Sequence, residues 1–557
     1  MDQNTQPRYS DLLQASVDHA EFIEDLFGQR SFPSSPEIIT RRFSHIEMDI
    51  KCLEAEIGKL KMTLHSLESH RYRLNRSIEL GKSLMSPVRR LPSELLGHIF
   101  SLICADGSTL SSAPLKEGEL PQNPALLSMI CTSWREVALS LPEIWSKVSF
   151  EHFGRNCPIG KAGLLLMAEL FVNRASTYPL TLSFSCWAER LQFPKDVDLV
   201  LETLCRCSGQ WDTVYFDGCT SFYEHYAVRQ VKGKLGSLRR LSVSPTTSLS
   251  DVEFIFEAPL PNLRMLDLVI DEMDKSILDG AHLEQLTELK LQIHPGERSP
   301  VEIASMCPNL RSFSFEYDIV LDIFETKDFG LHITSNLESL TVAMNPETGL
   351  RTAWAPFFDQ TTLPTLSSLT IVSEYTSFPQ IEMSDTEPLL ECIARSGCPI
   401  TYLSLKSRTL SNEQTHRLLR LIPGLETLRV WEENLVSFEL PHRELKERTK
   451  EFLSLLVIDR NSINPDKTSS GPLLPRLKHL SVAFPSPDRG IDVLYEVARS
   501  RSIEDRKMGV DSLQSVEIEY RWDPPKGQGE LPEHMQLEDL KERGLDISIR
   551  TMDIIHG

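Results

Sequence analysis

From residue 39 onward, apolar side chains return at alternating spacings of four and three: Ile39, Phe43, Ile46, Ile50, Leu53, Ile57, Leu60, Leu64, Leu67, Leu74 and Ile78, with Arg71 breaking the run. That alternation is a heptad seam of more than five heptads, and it predicts a coiled-coil-like helix over 37–84 with a seam about 60 Å long. A stripe of this kind needs a partner. In a parallel dimer Glu56 would meet Lys61, which attracts, while Asp49 would meet Glu54, which repels. The charges therefore leave self-association, an antiparallel pairing, another helix and the rest of the chain equally open. Residues 1–36 are polar, with Pro33 and Pro36, and read as a mobile arm with room for one short helix around Phe22, Ile23, Leu26 and Phe27.

A second pattern occupies the C-terminal two thirds. Strings such as "LRRLSV", "LRMLDL", "LTELKL", "LESLTV", "LETLRV" and "LKHLSV" all fit apolar-x-x-apolar-x-apolar. They start at 238, 263, 286, 310, 337, 366, 400, 425, 452, 477 and 513, with earlier copies at 179 and 211. Steps of about 23 to 36 residues lie near the period of leucine-rich repeats. Each string predicts a short strand with inward apolar residues. Each intervening segment brings the chain to the next parallel strand, so no repeat buries its face without neighbours. The expected solenoid spans 151–545, followed by a tail over 546–557. "LPNL", "CPNL" and "LPTL" turns before the strands agree with it. The ladder position three beyond the last strand leucine holds Asn345 and Cys219, which fit, but also Asp271, His294 and Glu374, which do not, so the solenoid should be irregular.

Between these regions, 87–150 carries two very apolar helical segments. Ser86-Pro87 should stop the long helix. Pro92 then suits a helix start, and Leu95, Leu96, Ile99, Phe100 and Ile103 give apolar neighbours wider than one stripe. After a loop over 105–124, Leu126, Leu127, Ile130, Cys131, Trp134, Val137 and Ala138 form the second segment. A unit this small cannot hide all that surface within itself. "LPSELLGHIFSLI", then "LLSMICTSWREVA" and "LPEIW", resembles the F-box, with a longer loop between its helices. The resemblance covers about 60 residues of the 557. It implies an adaptor-binding module of a Skp-Cullin-F-box type ubiquitin ligase, in which the box docks a Skp-type adaptor, and through it a cullin-RING ligase, while the repeats capture an unknown protein substrate. Carried onto this chain, the docking residues are Leu91, Pro92, Ile99, Phe100 and Trp134.

The implied fold class is α plus α/β: an N-terminal heptad helix, a small helical F-box, and an irregular leucine-rich-repeat solenoid. Side chains alternate along strands, so the residue between the inward positions and those just outside them face solvent. Among these, Tyr402, Lys406, Arg429 and Trp431, from two adjacent repeats, combine aromatic and cationic groups of the kind enriched at binding hot spots.

Composition narrows the function classes. A net charge of −21 argues against a general nucleic-acid binder. No apolar run approaches a membrane span, and no secretory signal opens the sequence. Eleven scattered cysteines read as reduced and mostly buried, in cytoplasm or nucleus. Gly81-Lys82-Ser83 lacks the second glycine of a phosphate loop, because Arg76 stands in its place. Cys205 and Cys207 are too close to suggest a zinc site, and no catalytic motif or cofactor signature is present. The expectation is a non-catalytic substrate receptor; the alternative is a protein-interaction scaffold outside any ligase, with an enzyme lodged in the solenoid a weaker third.

Overall fold

The computed structural model describes residues 9–28, 36–111, 123–153, 161–187, 193–246, 251–270, 283–293, 300–317, 332–344, 355–373, 386–406, 410–431, 450–458, 471–484, 491–502, 509–520, 540–542 and 544–551. Two compact units result, Met1–Leu96 and Gly97–Gly557.

The first unit is dominated by two helices. Helix α1 (Tyr9–Gly28) fills 20 residues of the segment expected to be a mobile arm, and α2 (Pro36–Met85) realises the heptad pattern as one 50-residue helix. They lie antiparallel. His19 Nε2 sits 2.9 Å from Asp49 Oδ2, and the Arg42 guanidinium lies 4.9 Å above the Phe22 ring. The α1 face Ala15, His19, Phe22, Ile23 and Leu26 is half-buried, as are Ile39, Ile46 and Leu53 on α2. Even so, no residue of α2 is fully buried.

The division between units falls inside α3 (Ser93–Ile103), after which come α4 (Pro124–Ile130) and α5 (Thr132–Leu139). Helix α4 starts as its sequence predicts: the Asn123 side chain accepts from the Ala125 N–H, and Pro124 occupies the first turn.

The second unit is built on a 15-stranded parallel sheet whose order follows the chain from first strand to last. Its strands are β1 (Ser108–Ser111), β2 (Lys147–Phe153), β3 (Leu180–Trp187), β4 (Trp211–Gly218), β5 (Arg240–Thr246), β6 (Met265–Ile270), β7 (Glu288–Ile293), β8 (Ser312–Tyr317), β9 (Ser339–Met344), β10 (Ser368–Ser373), β11 (Tyr402–Lys406), β12 (Thr427–Trp431), β13 (His479–Phe484), β14 (Ser515–Tyr520) and β15 (Asp546–Thr551). This is an α/β solenoid-like fold. Two unbroken apolar rows run across its buried face in register, one from Val148 through Leu241 and Leu403 to Ile547, the other from Leu110 through Phe216 and Leu405 to Ile518. The leading apolar residues of the strings, such as Leu238, Leu263, Leu310 and Leu425, are buried as well. Returning helices of two turns or more are α6 (Lys161–Ala175), α7 (Lys195–Arg206), α8 (Glu387–Ser396), α9 (Asn412–Leu421) and α10 (Ile491–Arg501). A short separate pair joins Ile333–Thr334 to Thr361–Thr362.

The sheet departs from the string pattern in three places. It begins at Ser108, well before 151, so the segment resembling an F-box supplies β1 and β2. It ends at Thr551, so part of the expected tail is a strand. The string at 452 is helical over 450–455, burying Phe452, Leu453 and Leu456, because apolar residues at one and four suit a helix as well as a strand.

The ladder residues Asp271, His294, Asn345 and Glu374 lie outside the described residues, but a second set of side-chain bonds joins the repeats. The residue before the leading leucine donates to a carbonyl of the preceding repeat: Asn262 to Gly236 at 2.7 Å, Gln285 to Leu260 at 2.9 Å, Asn309 to Glu284 at 2.8 Å and Thr365 to Leu337 at 2.9 Å. Near the C-terminal end the fully buried Arg501 does similar work alone. Its three nitrogens donate to the carbonyls of Leu456, Leu473 and Leu474 at 2.6 to 2.8 Å. Burial lowers its pKa to about 10.

Candidate interaction surfaces

Two surfaces carry the residues singled out in the sequence. The first is the helical segment. Leu96 and Phe100 on α3, with Cys104 just past its end, recur every four residues and are buried, as one face of a helix should be. The Phe100 ring lies 5.0 Å from that of half-buried Trp134 on α5, tilted by 59°, a contact worth about 1 kcal/mol beyond area burial. Phe100 and Trp134 thus hold α3 against α5, and Phe100 has no surface to offer a partner. Trp145, the distal tryptophan, is interior too: its Nε1 donates to the Ala138 carbonyl at 2.8 Å and its ring lies 5.5 Å from Phe171.

Ile99 is exposed, and it is not alone. Leu102 at 63% and Ile103 share its face of α3, at spacings of three and four. On α4, Leu126, Met129 at 72% and Ile130 at 59% repeat the same spacing outward. Each helix therefore turns one apolar stripe inward and another to solvent. The sequence signal was the excess of apolar neighbours on both helices, too many for a single stripe. In the other unit Leu91 is half-buried and Pro92 exposed, with Leu91 closing the 3-10 turn Pro87–Arg90.

The second surface is the polar face of the sheet. A single register row crosses it from Thr109 to Ser548 and carries Tyr215, Asp267, Lys290, Arg429 and Glu517; every other position in the row is Ser or Thr. Three of the four candidate residues meet on β11 and β12. Lys406 Nζ lies 4.9 Å from the Trp431 ring and the Arg429 guanidinium 5.0 Å from it, so the indole is bordered by two cations, each contact worth about 0.5–1 kcal/mol where exposed. Tyr402 stands at the other end of β11, opposite Thr427. Arg429 also faces Glu517 on β14 at 3.8 Å, and Glu517 accepts from Ser481 at 3.2 Å and pairs with Arg550 at 3.3 Å. Asp267 and Lys290 form a smaller pair, at 3.7 Å. Not every alternating position is open: Glu519 is buried.

Among the described residues, no group of three or more His, Cys, Asp or Glu is placed to hold a metal ion. Burial pushes the Cys104, Cys186, Cys205 and Cys392 thiols up, Cys307 to about 12 and Cys398 to about 11, and such thiols are poor nucleophiles. Gly81, Lys82 and Ser83 are helical. No described helix is long and apolar enough to cross a membrane.

The chain matches no protein-family model and no curated protein. Among solved structures it is similar to the crystal structure of a Bacteroides fragilis protein, with 9% identity over 72% of this chain and 74% of that one. The TM-score of 0.23 is too low to bear on the fold or the function of either surface.

Proposed function

We propose that this protein is a substrate-recognition subunit of a Skp-Cullin-F-box type ubiquitin ligase, docking a Skp-type adaptor through α3–α5 and capturing a protein substrate on the polar face of the solenoid. The observation that carries this reading is the pair of outward apolar stripes: Ile99, Leu102 and Ile103 on α3, and Leu126, Met129 and Ile130 on α4. Clustered exposed apolar residues mark contact surfaces. The resemblance of "LPSELLGHIFSLI" and "CTSWREVA" to the F-box supplies the partner's identity. On this reading the protein performs no bond chemistry. It raises the local concentration of a bound substrate at the ligase. The Lys406–Trp431–Arg429 stack is the candidate anchor for that substrate, since rigid aromatic and arginine groups carry most interface energy.

The test is affinity capture of the full chain, with identification of what it retains. Trp134→Ala would be ambiguous, because Trp134 also braces Phe100. Met129→Asp with Ile130→Asp changes only exposed side chains, and should abolish adaptor capture while circular dichroism stays unchanged. Adaptor retained by that folded variant sinks the proposal. Adaptor captured without a cullin would favour the scaffold reading. Arg429→Ala with Trp431→Ala should keep the adaptor and lose the substrate.

A further inference from the structure

The heptad seam is uncovered over part of its length, and the uncovered part is complementary to itself. Helix α1 shields one side of the first half of α2, where Ile39, Ile46, Asp49 and Leu53 are half-buried while Phe43 and Ile50 stay exposed. From Ile57 to Leu80 every side chain but Ser69 is exposed. That stretch keeps Ile57, Leu60, Leu64, Leu67, Leu74 and Ile78 in strict heptad spacing for about three heptads, about 33 Å of helix.

The boundary of α1 separates the charges that the sequence alone left in conflict. The repulsive parallel contact, Asp49 with Glu54, falls within or beside the covered half, where Asp49 already bonds His19. A parallel pairing of the remainder would still set Arg71 against its own copy, and would bring two α1 helices to one end. An antiparallel pairing avoids both. With Leu64 opposite Leu67 of a second copy, Ile57 falls opposite Leu74 and Arg71 opposite Leu60. The flanking positions then set Lys61 against Glu68 twice, by symmetry, and Thr63 against His70, with no like charges opposed. The two α1 helices fall at opposite ends.

We infer that the Ile57–Ile78 seam of α2 pairs antiparallel with the same seam of a second copy of this chain. The pairing uses none of the residues assigned to adaptor or substrate.

Light scattering coupled to size exclusion on the full chain tests it. Twice the chain mass is expected, relaxing to a single chain on dilution; a single-chain mass at every concentration overturns the inference. Leu60→Glu with Leu64→Glu should give single chains, with the helical signal of circular dichroism retained, and a persistent dimer would place the interface elsewhere. Charge reversal fixes the direction. Lys61→Glu should weaken self-association roughly tenfold, since two attractive contacts become repulsive. Adding Glu68→Lys should restore it in the antiparallel arrangement alone, because a parallel pair sets residue 61 against Glu56. A double variant as weak as the single one overturns the antiparallel assignment.

Discussion

Two apolar periodicities, one in the repeat ladder and one along the heptad seam, end in opposite environments. In the ladder, Leu241, Leu340, Leu403 and Leu428 are all buried; along α2, Leu60, Leu64 and Leu67 have the same side chain and are all exposed. The difference lies in where the partner is encoded. A repeat string finds its partner in the next repeat of the same chain, about 25 residues away, so period and burial come together. A heptad seam fixes only the element and its stripe, and the second helix must come from outside the pattern. Here α1 supplies half of it.

One substitution made in both regions sharpens the contrast. Leu403→Ala removes a fully buried side chain from the middle of an apolar row, between Leu369 and Leu428. A loss of about 4 kcal/mol is expected from transfer and cavity terms together. Because repeats couple mainly to their neighbours, the effect should appear as faster amide exchange in β10–β12 before any global melting. Exchange unchanged in those strands would mean that the row is not the core.

The ladder was legible where its two signals agreed, and obscure where one was missing. Strings from 238 to 425 give a leading apolar residue and two inward ones, and all became strands. In β1 the inward positions are Ser108 and Leu110, so only one is apolar. In β15, Gly544 stands at the leading position, with φ of 92°, a conformation a leucine would avoid. For β2 the signal is present: Trp145, Val148 and Phe150 make a complete string, but the same tryptophan also completes the F-box-like motif. As for the candidate surfaces, alternation places Lys406, Arg429 and Trp431 on one face, where their side chains meet. It could not tell that Phe100 is interior, because the stripe on α3 is apolar on both sides and pattern alone does not choose the inner one.

Between these extremes stands Arg501, a buried residue that no periodicity requires. It holds three carbonyls on either side of the segment 459–470, and the desolvation of its guanidinium is offset by that hydrogen-bond fork. Arg501→Lys keeps the charge and loses the planar fork, so about 2–3 kcal/mol should be lost, read as a lower melting temperature of the C-terminal repeats. An unchanged melt would show that an ammonium satisfies the same carbonyls. The sign of the pH effect follows from the lowered pKa. The unfolded chain binds the proton more tightly, so loss of the Arg501 proton relieves the cost of burying its charge, and this contribution favours folding increasingly as pH rises above about 10.

The smallest effect belongs to Leu64→Ala. At 58% exposure the side chain of Leu64 has little to lose within its own chain, and alanine is the better helix former. At concentrations where the chain is single, the stability of α1 and α2 should therefore change by less than about 0.5 kcal/mol. The same leucine-to-alanine exchange costs several times more at Leu403, where the neighbouring repeat supplies the contact. At concentrations where two chains pair, Leu64→Ala should weaken that pairing, because Leu67 of the second copy then faces a smaller side chain. Helicity of α2 followed by circular dichroism against dilution separates the two terms. A large loss that persists at high dilution would mean that Leu64 is covered within its own chain, and the contrast between seam and ladder would collapse.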